Sequence, residues 1–301
     1  MRPGPIAALV AALSALALDR PAHAEDAALA ERGRAVLDAA GGCTCHTDFE
    51  SGGAELAGGR PLETPFGTWY STNITPDPET GIGRWSDADF VRAMREGRAP
   101  DGTPYFPVFP YPSFTGMRDE DLLALKAYLF SLAPVRRENR SPDAWPPFSW
   151  RIAAAAWQWL HFEPHRFAPD PARSAEWNRG AYLVEAVAHC GECHTPRTGT
   201  GALERSRWLA GSLEGPEGEL APNITPDEET GIGRWTRTDL VFFLRKGILP
   251  DGDSTEGLMK ELVRNGYRLV PTQDLEAIAT YLATVPPVHN ELGRPEEEAG
   301  R

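Results

Sequence analysis

Cysteine is scarce in this sequence, and the few cysteines occur as two short pairs far apart. The 301 residues contain four of them, Cys43, Cys45, Cys190 and Cys193. A small secreted domain held together by disulfides has cysteines spread along its length, so this arrangement does not indicate a disulfide framework. What remains for the pairs is the binding of a metal or cofactor, or redox chemistry.

The chain also lacks an excess of basic residues. It has 30 Lys and Arg against 43 Asp and Glu, which gives a formal net charge of −13. An acidic surface argues against binding to nucleic acid or anionic lipid, because both carry negative charge. It favours encounter with a basic patch on a partner protein.

No apolar run is long enough to cross a bilayer. The run over residues 6–18 follows Arg2 and precedes the small-residue triplet Ala22-His23-Ala24. Spanning a membrane takes roughly 20 apolar residues, so the alternative of a permanent anchor is disfavoured. The pattern is that of a secretory signal peptide over residues 1–24, which predicts a periplasmic protein.

Internal repetition is the strongest signal in the sequence. Residues 71–102 and 221–252 align without gaps at an offset of 150, sharing NITPD, ETGIGRW and PDG. Cys-His pairs and apolar late helices recur in the same order. We therefore predict two tandem domains, here called the first repeat (25–134) and the second repeat (176–290), with a linker over 135–175 and a disordered acidic tail over 291–301.

The pattern within each repeat predicts a mainly α fold with long loops. Helices are expected over 27–40, 119–132, 176–189 and 273–285, and two more after the N-caps Ser86 and Thr236. No alternating strand pattern appears. Gly33 and Gly180 are predicted to lie where the first helix of each repeat crosses the last.

The linker contains an apolar helical stretch over 149–162. The linker as a whole has four tryptophans, Trp145, Trp150, Trp157 and Trp159. They either dock on a membrane or a partner subunit or pack between the two domains, and the sequence leaves both alternatives open.

Residues 190–194 read Cys-Gly-Glu-Cys-His, the attachment signature of c-type haem. Residues three apart share a helix face, so Cys190 and Cys193 can both reach one porphyrin, while His194 supplies an axial ligand to the iron. A zinc site would need further Cys or His ligands in the same half, and a redox dithiol normally sits in an α/β fold. The motif therefore predicts a covalently bound haem.

The first motif is one residue shorter. Residues 43–46 read Cys-Thr-Cys-His, and the repeat places the deletion between Cys43 and Cys45. Residues two apart point about 200° apart on a helix, so either the backbone unwinds locally or Cys45 alone carries the thioether. His46 keeps its place after the second cysteine and is the predicted axial ligand. Loss of the first haem is a third alternative.

Methionine is the expected sixth ligand of each iron, because thioether ligation raises the potential into the range of an electron carrier. After residue 24 only Met94, Met117 and Met259 exist. Met259 follows the Pro-Asp-Gly turn of the second repeat and is predicted to ligate the second haem. Met117, in the corresponding loop, is the candidate for the first, and Met94 falls within a helix. A core-packing role is the alternative for Met117 and Met259.

These motifs resemble those of class I cytochromes c, and in particular the multi-haem cytochrome subunits of periplasmic alcohol, gluconate and aldehyde dehydrogenases. The resemblance covers nearly the whole chain after residue 24 and includes the segment YFPVFPYPSFTGM at 105–117. It implies two covalent haem c groups and a role in passing electrons from a dehydrogenase partner to the respiratory chain. The chain departs from the pattern in having two motifs instead of three and Phe109 where related sequences often carry Met.

Two functions follow from these features. The leading hypothesis is an electron carrier or electron-transfer subunit without catalysis of its own. The alternative is a di-haem peroxidase whose first haem keeps an open position.

Overall fold

The computed structural model describes residues 22–292, and this part of the chain is mainly helical, as predicted. The signal peptide expected over 1–24 lies outside the described residues except for its last three, and so does the tail beyond Leu292. The first repeat contains α1 (Ala22–Ala39), a 3-10 segment (Gly41–His46), α2 (Asp87–Glu96), α3 (Tyr111–Phe114) and α4 (Asp119–Ser131). The linker contains α5 (Arg151–His161).

The second repeat follows the same order. It contains α6 (Ala175–Tyr182), a π turn (Leu183–Val187), α7 (Gly191–His194), α8 (Arg237–Lys246), α9 (Gly257–Asn265), a 3-10 turn (Tyr267–Leu269) and α10 (Thr272–Leu282). Short 3-10 turns also occur at Arg205–Arg207 and Pro216–Gly218. Within residues 22–292 no helix has the length and apolar character needed to cross a bilayer.

A small antiparallel sheet was not predicted. Strands β1 (Pro61–Thr64) and β2 (Gly67–Tyr70) form a hairpin, and β3 (Asp143–Ala144) from the linker pairs with β2. The expectation of no strands is wrong here because four-residue strands are too short to show alternation. Their stability depends on pairing with a distant segment.

The first and last helices of each repeat cross at a glycine, as predicted. A Cβ added to Gly33 would lie 1.9 Å from the carbonyl oxygen of Ala124 on α4, and Tyr128 is next to it. In the second repeat a Cβ on Gly180 would lie 1.9 Å from the carbonyl oxygen of Ala277 on α10. Only glycine allows the helices to approach this closely.

The predicted N-caps of α2 and α8 are confirmed. Ser86 accepts a hydrogen bond from the backbone N–H of Asp89, whose carboxylate accepts from the Ser86 backbone in return. Thr236 and Asp239 form the same capping box. Both helices end at a glycine in the left-handed conformation, Gly97 and Gly247.

The repeated NITP loops are fastened by their buried asparagines. Asn73 donates to the Thr80 hydroxyl and to the Val135 carbonyl. Asn223 donates in the same way to Thr230 and Val288. The bonds to Val135 and Val288 tie each loop to the segment that follows the last helix of its repeat, and the bonds to Thr80 and Thr230 close the loop on itself.

The two repeats share one continuous apolar core. Tyr182 of the second repeat donates to Asp121 of the first over 2.6 Å, and Ser113 of the first donates to Glu192 of the second over 2.6 Å. Both contacts lie among buried side chains. The repeats therefore pack directly against each other, and the linker helix is not the only element between them.

Helix α5 contacts both repeats from the outside. The amide of Gln158 donates to the carbonyl of Gly97, and the indole of Trp157 donates to the carbonyl of Thr200. Ala154 packs with Trp69 and Phe106 in a second, smaller apolar cluster. The opposite face of α5 stays exposed.

Candidate haem-attachment sites

The second cysteine motif begins where the first helix of its repeat ends. His189 takes a left-handed backbone with φ of 45°, which turns the chain, and Cys190 then starts a single right-handed turn. The backbone N–H of His194 donates to the Cys190 carbonyl over 3.0 Å. The turn therefore presents Cys190, Cys193 and His194 from one short helical segment, as the spacing predicts.

The ring of His194 is oriented by a backbone carbonyl. Its Nδ1 lies 2.7 Å from the carbonyl oxygen of Pro222. This bond fixes Nδ1 as the protonated nitrogen and leaves Nε2 for a metal. Burial lowers the pKa of His194, and the bond to Pro222 opposes that shift. Burial thus favours the neutral ring that metal ligation requires.

The first motif unwinds, which is one of the alternatives that its spacing leaves open. Gly42 and Cys43 have φ of 74° and 49°, so the segment Gly41–His46 is not a regular helix. A left-handed non-glycine residue costs roughly 1–2 kcal/mol, and the shortened motif accepts that cost at Cys43. Gly41 and Gly42 are closely covered by Leu262 and Asn265 of α9, from the other repeat.

Despite the shorter loop, His46 is oriented in the same way as His194. Its Nδ1 lies 2.7 Å from the carbonyl oxygen of Thr72, which is the counterpart of Pro222 at the offset of 150. Burial likewise lowers the pKa of His46. The local unwinding therefore restores the position of the histidine after the deletion.

The four thiols fit covalent attachment better than the other uses of paired cysteines. All are free and partly buried. Burial raises the pKa of Cys43 and of Cys190 to about 12 and that of Cys45 to about 11. A redox dithiol works through a thiolate with a lowered pKa, which these environments oppose. Among residues 22–292 no group of three or more Cys, His, Asp or Glu could hold a metal ion, so the zinc alternative gains no support.

Cysteines of the two motifs lie near one another where the repeats pack together. Burial raises the pKa of Cys193, and Cys45 of the other motif lies close enough to raise it further. Tyr267 is buried near both, and its pKa is raised by burial and by Cys190, Cys193 and Cys45. The sequence brings these groups together only through packing of one repeat on the other.

An ion cluster ties the repeats together beside Cys45. Arg60 donates to Glu217 over 2.7 and 2.8 Å and also pairs with Glu261. The Arg60 side chain is 13 % exposed. Its charge lowers the pKa of Cys45 against the dominant effect of burial. Sequence inspection missed Arg60 because nothing local marks a residue whose partners lie far along the chain.

The methionines occupy three different settings. Met259 lies half-buried on α9, so the expectation of a loop at this position is wrong. Met117 lies in the turn before α4 and is 1 % exposed. Met94 is buried on α2, as its helical position predicts.

The carbonyls of Thr72 and Pro222 were also not predicted. They lie immediately before the repeated Asn73 and Asn223, so the signal that could have found them is the repeat itself. Main-chain groups carry no residue-type signature, which is why a motif search does not identify them.

Comparison with known proteins finds clear relatives. The chain is 39 % identical to the "Diheme cytochrome c-type" protein of Cereibacter sphaeroides, over 93 % of this chain and 96 % of that protein. It is 41 % identical to the "Gluconate 2-dehydrogenase cytochrome c subunit" of Pantoea cypripedii, over 86 % of this chain and 60 % of that protein. It is 45 % identical to one subunit of the nicotinate dehydrogenase of Pseudomonas putida over 86 % of this chain.

The chain spans only part of several of these relatives. It covers 21 % of the nicotinate dehydrogenase subunit and 57 % of the alcohol dehydrogenase cytochrome c subunit of Komagataeibacter europaeus. No protein-family model matches the chain.

The relatives named after alcohol, gluconate and fructose dehydrogenases are the cytochrome subunits of those enzymes, and the comparisons give the peroxidase alternative no support. The resemblance to multi-haem cytochrome subunits is therefore confirmed. The chain belongs to the family of c-type cytochromes that includes this di-haem cytochrome and the cytochrome c subunits of alcohol, gluconate and fructose dehydrogenases, proteins that bind haem covalently and transfer electrons.

Proposed function

We propose that this chain is a periplasmic di-haem cytochrome that accepts single electrons from a dehydrogenase partner and passes them toward the respiratory chain. The observation that carries the proposal is the matched orientation of His46 and His194, each by a backbone carbonyl at 2.7 Å. A histidine that only fills space in the core would not need a hydrogen bond to the equivalent backbone carbonyl in both repeats. Residues 1–24 would direct export, and 25–134 and 176–290 would be the two haem domains.

Each motif has a defined part in this function. Haem iron, when bound, supplies a one-electron couple whose potential depends on its axial ligands and on burial. Cys43 and Cys45 would hold the first haem, and Cys190 and Cys193 the second. His46 and His194 would supply one axial ligand each, and Met259 the other ligand of the second iron.

The closeness of the motifs supports electron exchange within the chain. Burial and Cys45 both raise the pKa of Cys193, and Tyr267 is buried near cysteines of both motifs, so the two attachment points lie close to the contact between the repeats. An electron that enters at one haem could then pass to the other within the chain, so that the donor and the acceptor can bind at different sites. Cys43 and Cys190 both pack against the apolar core that the repeats share.

The exposed face of α5 is the proposed binding site for the dehydrogenase partner. Along the helix, Ile152, Trp159 and Leu160 are 74, 84 and 62 % exposed, while the polar Gln158 points inward. This is the reverse of an ordinary surface helix, which buries its apolar stripe. Tryptophan is enriched at protein interfaces, and the net charge of −13 opposes an anionic lipid surface. We therefore assign this face to a partner subunit, with a membrane surface as the alternative outcome of the test.

Mutation of α5 tests that assignment. Trp159→Ser combined with Leu160→Ser is expected to slow reduction of the cytochrome by a dehydrogenase at least several-fold, because docking loses its apolar contacts. Phe242→Ser is the matched control, since Phe242 is 46 % exposed on α8 of the second repeat. An unchanged reduction rate, together with lost binding to phosphatidylglycerol vesicles, would assign the face to lipid and overturn the partner assignment.

The function itself is tested on the mature protein. Mass spectrometry should find two covalent haems, and addition of gluconate with the catalytic part of a gluconate dehydrogenase should reduce both. Reduction should be abolished when substrate is omitted. A protein that matures without haem, or that no alcohol, gluconate, fructose or nicotinate dehydrogenase reduces, would refute the proposed function.

A further inference from the structure

We propose that the first haem iron has no protein ligand in its sixth position, which is therefore open to small exchangeable ligands such as water, cyanide or carbon monoxide. The inference rests on the proposed function, because it presupposes a haem at both motifs. Each methionine has a different residue at the corresponding position of the other repeat. These counterparts separate the methionines into two core residues and one candidate ligand.

Met94 corresponds to a leucine. Helices α2 and α8 match residue for residue at the offset of 150, which places Met94 opposite Leu244. The two side chains are 8 % and 7 % exposed and belong to the same apolar core. A position filled by leucine in one repeat needs no sulfur, so Met94 is a packing residue.

Met117 corresponds to a valine. Helices α4 and α10 begin at Asp119 and Thr272, an offset of 153 that places Met117 opposite Val270. Both residues are 1 % exposed. Their backbone N–H groups make equivalent bonds, from Met117 to the Phe114 carbonyl over 2.9 Å and from Val270 to the Tyr267 carbonyl over 3.1 Å. The predicted ligand of the first iron therefore occupies a core position.

Met259 corresponds to a phenylalanine. The turns that precede it match in both repeats, since Tyr105 N–H donates to the Gly97 carbonyl over 2.7 Å and Thr255 N–H donates to the Gly247 carbonyl over 2.8 Å. Four residues further on stand Phe109 and Met259. Both are half-buried against the apolar core on which Cys43 and Cys190 also pack. A phenyl ring has no lone pair to donate to iron.

The other histidines whose side chains the structure describes are engaged elsewhere or exposed. His161 hydrogen bonds to Thr200, His165 is exposed in the linker, and His289 is 51 % exposed beside Asp227 and Glu229. The ring centroid of His189 lies 5.1 Å from that of Phe114, and its Nδ1 faces the carbonyl of Ala188. Because the half-buried ring of His189 packs on this core residue of the first repeat, His189 is the competitor that the experiment must exclude.

The test counts ligand-accessible haems in the two-haem protein. When carbon monoxide is added to the reduced protein, it displaces water at ferrous iron without change of oxidation state. We expect one carbon monoxide per protein, and in the oxidised protein one high-spin and one low-spin haem by electron paramagnetic resonance. A protein with two low-spin haems that binds no carbon monoxide would overturn the proposal, and His189→Gln would show whether His189 is the ligand.

Four variants locate the effect. Met259→Leu should raise the binding to two carbon monoxide per protein, and Met117→Leu should leave it at one. Phe109→Met should abolish it by supplying the missing thioether, whereas the control Phe106→Met, in the cluster with Trp69, should not. A second carbon monoxide bound by Met117→Leu would assign Met117 to the iron and overturn the proposal.

The outcomes also separate this inference from the function on which it rests. A mature protein with haem only at Cys190 and Cys193 that still accepts electrons from a dehydrogenase would remove the open site and leave electron transfer in place. A protein with no haem would refute both.

Discussion

The first and second repeats share one scaffold and differ at positions that we propose to face the haem. Both have a helix pair crossing at a glycine, a capping box at the second long helix and a histidine held by a carbonyl at 2.7 Å. They differ in the cysteine loop, where Cys43 is left-handed and Cys190 is right-handed, and in Phe109 opposite Met259. The fold is thus maintained by features that both copies need, while the cysteine motifs and the residues that we propose to lie at the iron differ between the copies.

The difference gives the two haems distinct expected properties. A thioether ligand raises the reduction potential of an iron, so a first haem without one would have the lower potential. Electrons would then run from the first repeat to the second. Two haems of equal reduction potential would not favour electron transfer either way. A difference in potential would favour transfer from the first haem to the second.

The largest expected effect concerns the cysteines of the shortened motif. Cys45 precedes His46 as Cys193 precedes His194, whereas Cys43 has moved into a left-handed turn. Cys45→Ser is therefore expected to remove most of the first haem, and Cys43→Ser to leave most of it attached. In the second motif, Cys190→Ser and Cys193→Ser should both leave a haem on a single thioether. Mass spectrometry of tryptic peptides checks the difference, and equal losses for Cys43→Ser and Cys45→Ser would show that the two cysteines contribute equally to attachment.

The next effect is a large loss of stability shared by both repeats. Gly33→Ala and Gly180→Ala each place a Cβ 1.9 Å from a backbone oxygen, which neither helix can avoid without moving. We expect a loss of about 3 kcal/mol in the free energy of unfolding for each. Gly199→Ala is the control, because nothing lies within 4 Å of its added Cβ. Denaturant unfolding measures the three, and a loss in only one repeat would contradict the equivalence of the crossings.

How much of this was accessible from the sequence depended on the distance between interacting residues. Helix caps, glycine crossings and the Cys-Cys-His order are written within a few residues or repeated at a fixed offset, so they were predicted. The hairpin was missed because β1 and β2 are four residues long and β3 lies in the linker. The correspondence between Phe109 and Met259 could be recognised only once the turns that precede them were known.

The contact between the repeats could not be predicted for the same reason. Arg60 lies 157 and 201 residues from Glu217 and Glu261, and no local pattern links them. The sequence identifies the tryptophans of the linker but does not indicate which side chains are exposed. Only the structure shows that Gln158 points inward and Trp159 outward.

A smaller effect is expected from breaking the ion cluster between the repeats. Arg60→Met leaves Glu217 and Glu261 without a cation, while their side chains are only 20 and 25 % exposed. Removing one member of a buried ion pair costs about 3–5 kcal/mol, and partial exposure should reduce this to about 2 kcal/mol. Arg136→Met, which breaks an exposed pair with Glu79, should cost no more than about 0.5 kcal/mol. Urea unfolding measures both losses in the free energy of unfolding. Equal losses would show that the ion cluster stabilises the protein no more than an exposed ion pair does.

The smallest effect tests whether the two copies of the scaffold are energetically equal. Ser86→Ala and Thr236→Ala each remove a side-chain oxygen that accepts from the third helical N–H, at 3.1 and 3.2 Å. Loss of such a cap typically costs about 1 kcal/mol, and because the capping boxes have the same geometry the two losses should agree within about 0.5 kcal/mol. The double variant should lose the sum, since the caps share no partner. Thermal unfolding of the three variants checks this, and a loss confined to one repeat would show that the copies have diverged in stability as well as at the iron.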